Sequence, residues 1–117
     1  MIQYKFYIIE RSNISSKIYG IKVIEPFNAI TYLGGENWTS EIVQDVVSEI
    51  KQVINGELEE TEFCDNHGAI ICLEVHREET DVIALSMRGE EFLYSIPTIE
   101  ILKLMEDFRD FLISQGV

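Results

Sequence analysis

Cys64-x2-His67-x4-Cys72-x3-His76 gathers every cysteine and histidine of this 117-residue chain into one short stretch. Those residue types, at nearly that spacing, make zinc knuckles, where four ligands close on one tetrahedral ion within about 2.3 Å. The segment between the ligands argues against closure here. Residues 69–75 are almost continuously apolar, with Ile70, Ile71, Cys72 and Leu73, and read as a strand. On a strand, Cys72 and His76 share a face but stand roughly 13 Å apart along it. Knuckles are mostly loop, whereas this run belongs in a core, so no metal ligand set is expected.

The two cysteines are expected to stay apart as well. Asp65-Asn66-His67-Gly68 has Asp first and Gly last, the signature of a type I turn. A turn there would place Cys64 opposite about residue 69, with Cys72 roughly 10 Å farther along the strand. A disulfide needs Cα atoms within about 7 Å. Two free thiols in a reducing compartment are the consistent expectation.

Other chemistries find less support. There is no Gly-x-Ser-x-Gly elbow, and neither cysteine has an activating partner in the sequence. His67 could serve as a base, but its turn already accounts for it. The carboxylates are too numerous to single out an acid–base pair, and a general acid needs burial or a close like charge to raise its pKa. Gly34-Gly35 lacks the spacing and the lysine of a phosphate loop, and no dinucleotide fingerprint occurs. The expectation is a protein that is not an enzyme and carries no cofactor.

Charge is the distinctive property. Nine Lys and Arg against 21 Asp and Glu give a net −12. Such a chain repels nucleic-acid phosphates and anionic membranes, and its field steers basic proteins toward it. The charges are unevenly placed: Lys5, Arg11, Lys17 and Lys22 face only Glu10 within residues 1–22, and no Lys or Arg lies between Lys51 and Arg77. Acids cluster instead, as Glu57, Glu59, Glu60, Glu62 and Asp65, then Glu78, Glu79 and Asp81, then Glu90 and Glu91. A solvated edge that discourages strand aggregation is one explanation; a binding surface is the other. Apolar Leu58 and Phe63 alternate with the first acidic run, and Trp38, Tyr32 and Tyr94 near element ends could anchor a partner. The partner-binding residues expected on this basis are Glu57, Glu59, Glu60, Glu62, Asp65, Glu78, Glu79 and Trp38.

The elements that must position these residues follow from periodicity. Residues 3–10 and 18–24 alternate and pair as a hairpin; Glu25-Pro26 ends the second strand. Residues 27–33 fit either a short strand or an extended connection. A first helix over about 40–55 starts at Thr39 or Ser40, with Trp38 as a hydrophobic staple. Its stripe is Ile42, Val43, Val46, Val47, Ile50, Val53 and Ile54, and Asn55-Gly56 ends it. A strand meander over 61–95 follows, with 69–75 as a central strand covered on much of both faces. A last helix over 98–114 is capped by Thr98 and buries Ile101, Leu104, Met105, Phe108, Phe111 and Leu112. The chain is a single α+β domain, 1–117, with a mainly antiparallel sheet.

The amino terminus interrupts any signal-like apolar run with Lys5 and Glu10, and no run approaches a membrane span; a cytoplasmic protein is expected. In size, charge and element order the whole chain resembles the small acidic bacterial immunity proteins of contact-dependent inhibition and other polymorphic toxin systems. The resemblance implies a protein partner, a basic toxin domain of nuclease type, whose active-site or substrate-binding surface is blocked by acidic residues. Nucleic acid and membrane are not expected partners. The alternatives are a homo-oligomeric accessory or scaffold protein, including a homodimer, and a small enzyme whose pocket the sequence does not reveal.

Overall fold

Alternating aromatic and β-branched residues make the first two strands, and their pairing is tight. The computed structural model describes residues 2–11, 16–23, 28–35 and 38–117. β1 (Tyr4–Arg11) and β2 (Ser16–Val23) form an antiparallel hairpin in which Tyr4 faces Val23 and Phe6 faces Ile21. Tyr19, Ile21 and Val23 are buried, as the alternation requires. The polar loop 12–15, Glu25-Pro26 and Phe27 lie outside the described residues.

The ambiguous stretch resolves as neither a strand nor an extended link. Asn28–Tyr32 is a 3-10 helix, followed by the two-residue β3 (Gly34–Gly35), which adds to β2. The reason lies in packing: Ala29, Ile30 and Leu33 are all buried, which a one-residue alternation could not achieve. Gly34 adopts φ 116°, and a Cβ there would come within 2.7 Å of the Tyr19 carbonyl oxygen, so only glycine fits.

α1 (Ser40–Ile54) begins as expected, with the Thr39 hydroxyl accepting from the Ile42 amide at 3.3 Å. Val43, Val46, Val47, Ile50 and Val53 are buried, whereas Ile42 is exposed and Ile54 is half-buried. α2 (Thr98–Ser114) buries Ile101, Leu104, Met105, Phe108 and Leu112. Thr98 is not its cap. Pro97 holds that position without a side-chain bond, and the Thr98 hydroxyl donates to the His76 carbonyl at 2.6 Å and pairs with the Thr80 hydroxyl at 2.9 Å. A threonine buried against a strand satisfies its hydroxyl there instead of at its own helix end.

The meander is β4 (Thr61–His67), β5 (Ala69–Val75), β6 (Glu79–Leu85) and β7 (Glu91–Pro97), antiparallel and in sequence order. It forms a four-stranded sheet separate from the β1–β3 sheet. The two helices run antiparallel, tied by Lys51–Glu106 at 3.6 Å and by Arg109 donating to Gln44 at 2.8 Å. Phe108 joins the parts: it is fully buried and meets both Phe6 of β1 and Trp38. The α+β class and the antiparallel pairing are therefore as expected, with the helices at 40–54 and 98–114. No helix is long and apolar enough to cross a membrane.

Candidate functional site: an open sheet face

A strand alternates its side chains between two faces, and the four-stranded sheet uses only one for the core. Ala69, Ile71, Leu73 and Val75 of β5, with Val82 and Ala84 of β6 and Ile96 of β7, are buried on the helix side. The opposite residues are half-exposed or exposed. β5 is central, but it is covered on one face and not on both. Its apolar run misleads because Ile70 and Cys72 belong to the open side.

Register places these outward residues in rows across the sheet. Asn66, Ile70, Leu85 and Glu91 form one row; Cys64, Cys72, Ile83 and Leu93 form the next; Glu62, Glu74, Asp81 and Ser95 form the third. The first two rows make an apolar field. Ile70, Ile83 and Leu85 are each about two-fifths exposed, and Leu93 and Met87 are 77% and 79% exposed. The third row sets three carboxylates side by side on adjacent strands, an arrangement in which like charges repel. None of Glu60, Glu62, Glu74 or Asp81 pairs with a Lys or Arg among the described residues. Ser95 donates to Asp81 Oδ1 at 2.7 Å, and Glu60, Thr61, Glu62 and Glu74 line a small cavity of about 250 Å³ at the β4 end of the row.

The cysteines overturn one expectation. Cys64 and Cys72 are directly opposite on β4 and β5, with Cα atoms 4.1 Å apart, and they form a disulfide. The expected four-residue turn does not form; β4 continues through His67 and the chain reverses at Gly68, whose φ is 106°. Moving the reversal point shifts the partner of Cys64 from residue 69 to residue 72. The disulfide lies in the second row, on the β4–β5 side of the open face, next to the acidic row. Its sulfurs are bonded to each other, so the zinc-knuckle ligand set is also dissolved. The His67 side chain lies outside the described residues.

The expected binding residues separate into three groups. Glu62 and Glu79 project from the open face of β4 and β6, with Glu60 just before β4, its Oε2 3.5 Å from His76 Nδ1. Glu57 and Glu59 are exposed in the connection after α1, and Glu78 is exposed in the turn before β6, where its carbonyl accepts from the Thr98 amide. Asp65 and Trp38 turn inward and toward each other. Asp65 Oδ2 accepts from Trp38 Nε1 at 2.8 Å and from the Gly34 amide at 3.2 Å, and Trp38 is buried against Phe108. They pin the β3 loop to β4. Sequence reasoning missed Glu74 and the outward Ile70, Ile83, Leu85 and Leu93, and left Asp81 and His76, which it weighed as a turn acid and as a metal ligand, out of the partner-binding set. Their alternation within β5–β7 marked one shared face, and the local pattern did not say which face the helices would take.

Two half-buried tyrosines complete the electrostatics away from this face. Burial, with the Asp107 carboxylate that its hydroxyl donates to, pushes Tyr4 well above the usual phenol range. Burial pushes Tyr94 up to about 12, opposed by the amides of Ala29 and Ile30 and assisted by nearby Tyr32. Neither group is placed for acid–base chemistry near neutral pH. No protein family, curated protein or solved structure matches this chain.

Proposed function

We propose that this chain is an immunity-type protein that binds and neutralises a basic toxin domain of nuclease type through the open face of its four-stranded sheet. One observation carries the reading: an uncovered sheet face on which an exposed apolar field lies beside a row of like-charged carboxylates. Apolar residues that face solvent together mark an association surface. Carboxylates set opposite one another with no lysine or arginine beside them among the described residues gain most from a partner that brings one. A nuclease must present cationic groups to hold a phosphate backbone, so its substrate surface supplies the complementary charge. The acids would steer encounter, and the apolar field, with the highly exposed Leu93 at its β7 edge, would hold the complex.

The test is protection of growth. Cells producing the toxin domain encoded beside this gene should survive when they also produce the chain. Survival should be lost when Leu93→Asp and Ile83→Asp are introduced together, with the variant still folded by circular dichroism. Full protection by the folded double variant would remove the face from the account. Self-association through the same apolar field is separable: a homodimer would persist in purified protein at high salt, where a charge-steered complex associates more slowly.

A further inference from the structure

Beside the acidic row stands a group of a different kind. His76 follows β5 directly, and its imidazole stands between two carboxylates: Nδ1 lies 3.5 Å from Glu60 Oε2, and Nε2 lies 3.7 Å from Asp81 Oδ2. Glu74 completes the set, with one ligand atom from each of Glu74, His76 and Asp81 within 4.8 Å of the others. Glu74 and Asp81 are cross-strand partners, so their backbones are fixed by the sheet.

We propose that Glu74, His76 and Asp81 bind a divalent transition-metal cation, with His76 Nε2 as the nitrogen ligand. Two of the three groups have a polar neighbour on the side away from the ion. Glu60 faces Nδ1, which leaves Nε2 with its lone pair when Nδ1 carries the hydrogen. Ser95 donates to Asp81 Oδ1 and leaves Oδ2 turned toward the imidazole. Metal-binding histidines and carboxylates are oriented in this way, each held through the atom that does not touch the ion. Ligand atoms in a tetrahedral zinc shell stand about 3.4 Å apart, close to the 3.7 Å between Nε2 and Oδ2. The side chains of His76 and Asp81 are 43% and 40% exposed, so they can close the remaining gap and an ion can enter from solvent. A cation would also relieve the repulsion between Glu74 and its carboxylate neighbours. An imidazole in the set favours zinc, nickel or copper over magnesium or calcium, which prefer oxygen alone. This site stands apart from the partner reading, since the ion needs only the isolated chain.

The experiment titrates the purified, oxidised full chain with Zn2+, and separately with Mg2+, by calorimetry, and follows the imidazole nitrogen shifts of both histidines by NMR. The expected result is one Zn2+ per chain, a shift of the His76 Nε2 resonance, and binding of Mg2+ about a hundredfold weaker or less. His76→Gln and Asp81→Asn should each weaken Zn2+ binding about tenfold or more, and Ser95→Ala by about tenfold. Unfolding midpoints of these half-exposed variants without metal check that they are folded. No stoichiometric Zn2+ binding, or binding unchanged in folded His76→Gln, would overturn the proposal. So would binding that appears only after a phosphine reduces the disulfide, because the ion would then sit on Cys64, Cys72 and Glu62, whose ligand atoms also converge.

Discussion

Asp65 and Cys64 are neighbours with opposite orientations, and the difference decides their roles. Asp65 points toward the core side of the sheet, where it receives the Trp38 indole and the Gly34 amide. Cys64 points to the open face and closes a disulfide with Cys72 around a short loop. In the chain-entropy picture a loop of this size restrains the unfolded chain by about 2–3 kcal/mol. Reduction, or Cys64→Ser with Cys72→Ser, should therefore lower the unfolding free energy by about 2 kcal/mol; an unchanged denaturation midpoint would show that the bond does not form. Tyr94 supplies a test at alkaline pH. Its folded pKa, near 12, lies above the ordinary phenol value of 10, so the folded state favours the protonated hydroxyl. Its contribution is complete below pH 10 and is lost as pH rises toward 12. Stability followed by chemical denaturation should fall more steeply between pH 10 and 12 in the native chain than in Tyr94→Phe.

At the scale of elements, α2 is the joint of the molecule. Phe108 is fully buried and touches Phe6 from one sheet and Trp38 from the segment leading into α1. Phe108→Ala should cost about 3–5 kcal/mol, read as a shift of the single unfolding transition. Much of this level is legible in sequence. Thr39 and Asn55-Gly56 bracket α1, the spacing of Ile101, Leu104, Met105 and Phe108 marks α2, and the alternation of Tyr19, Ile21 and Val23 marks β2. Three features are not. The Asp65–Gly68 turn signature is outcompeted because Gly68 alone can reverse the chain, and that three-residue shift hides the disulfide. The open face is hidden because a run such as Ala69-Ile70-Ile71-Cys72-Leu73 states hydrophobicity without stating which side the helices will cover. The Trp38–Asp65 bond joins residues 27 positions apart, and nothing local announces it.

For the whole molecule, charge and shape point to the same surface. The basic residues Lys5, Lys17 and Lys22 are exposed on the β1–β2 hairpin, while Glu62, Glu74, Asp81 and Glu79 sit on the open face of the other sheet. A basic partner approaching such a molecule is drawn toward the acidic sheet and away from the hairpin. The candidate binding residues read from sequence included Glu60, Glu62 and Glu79, which border or occupy this face, but also Asp65 and Trp38, which are internal fastenings. The central claim is that the open face holds a basic toxin domain. The most direct test is the affinity and association rate of the purified chain for a basic nuclease toxin domain. The native chain is compared with Glu62→Lys/Glu74→Lys, with Leu93→Asp, and with Lys5→Glu on the hairpin. Binding should be weakened tenfold or more by each face variant, association should be slowed by salt in the native chain, and Lys5→Glu should cause no loss. Native affinity retained by folded Leu93→Asp and by folded Glu62→Lys/Glu74→Lys would contradict the claim.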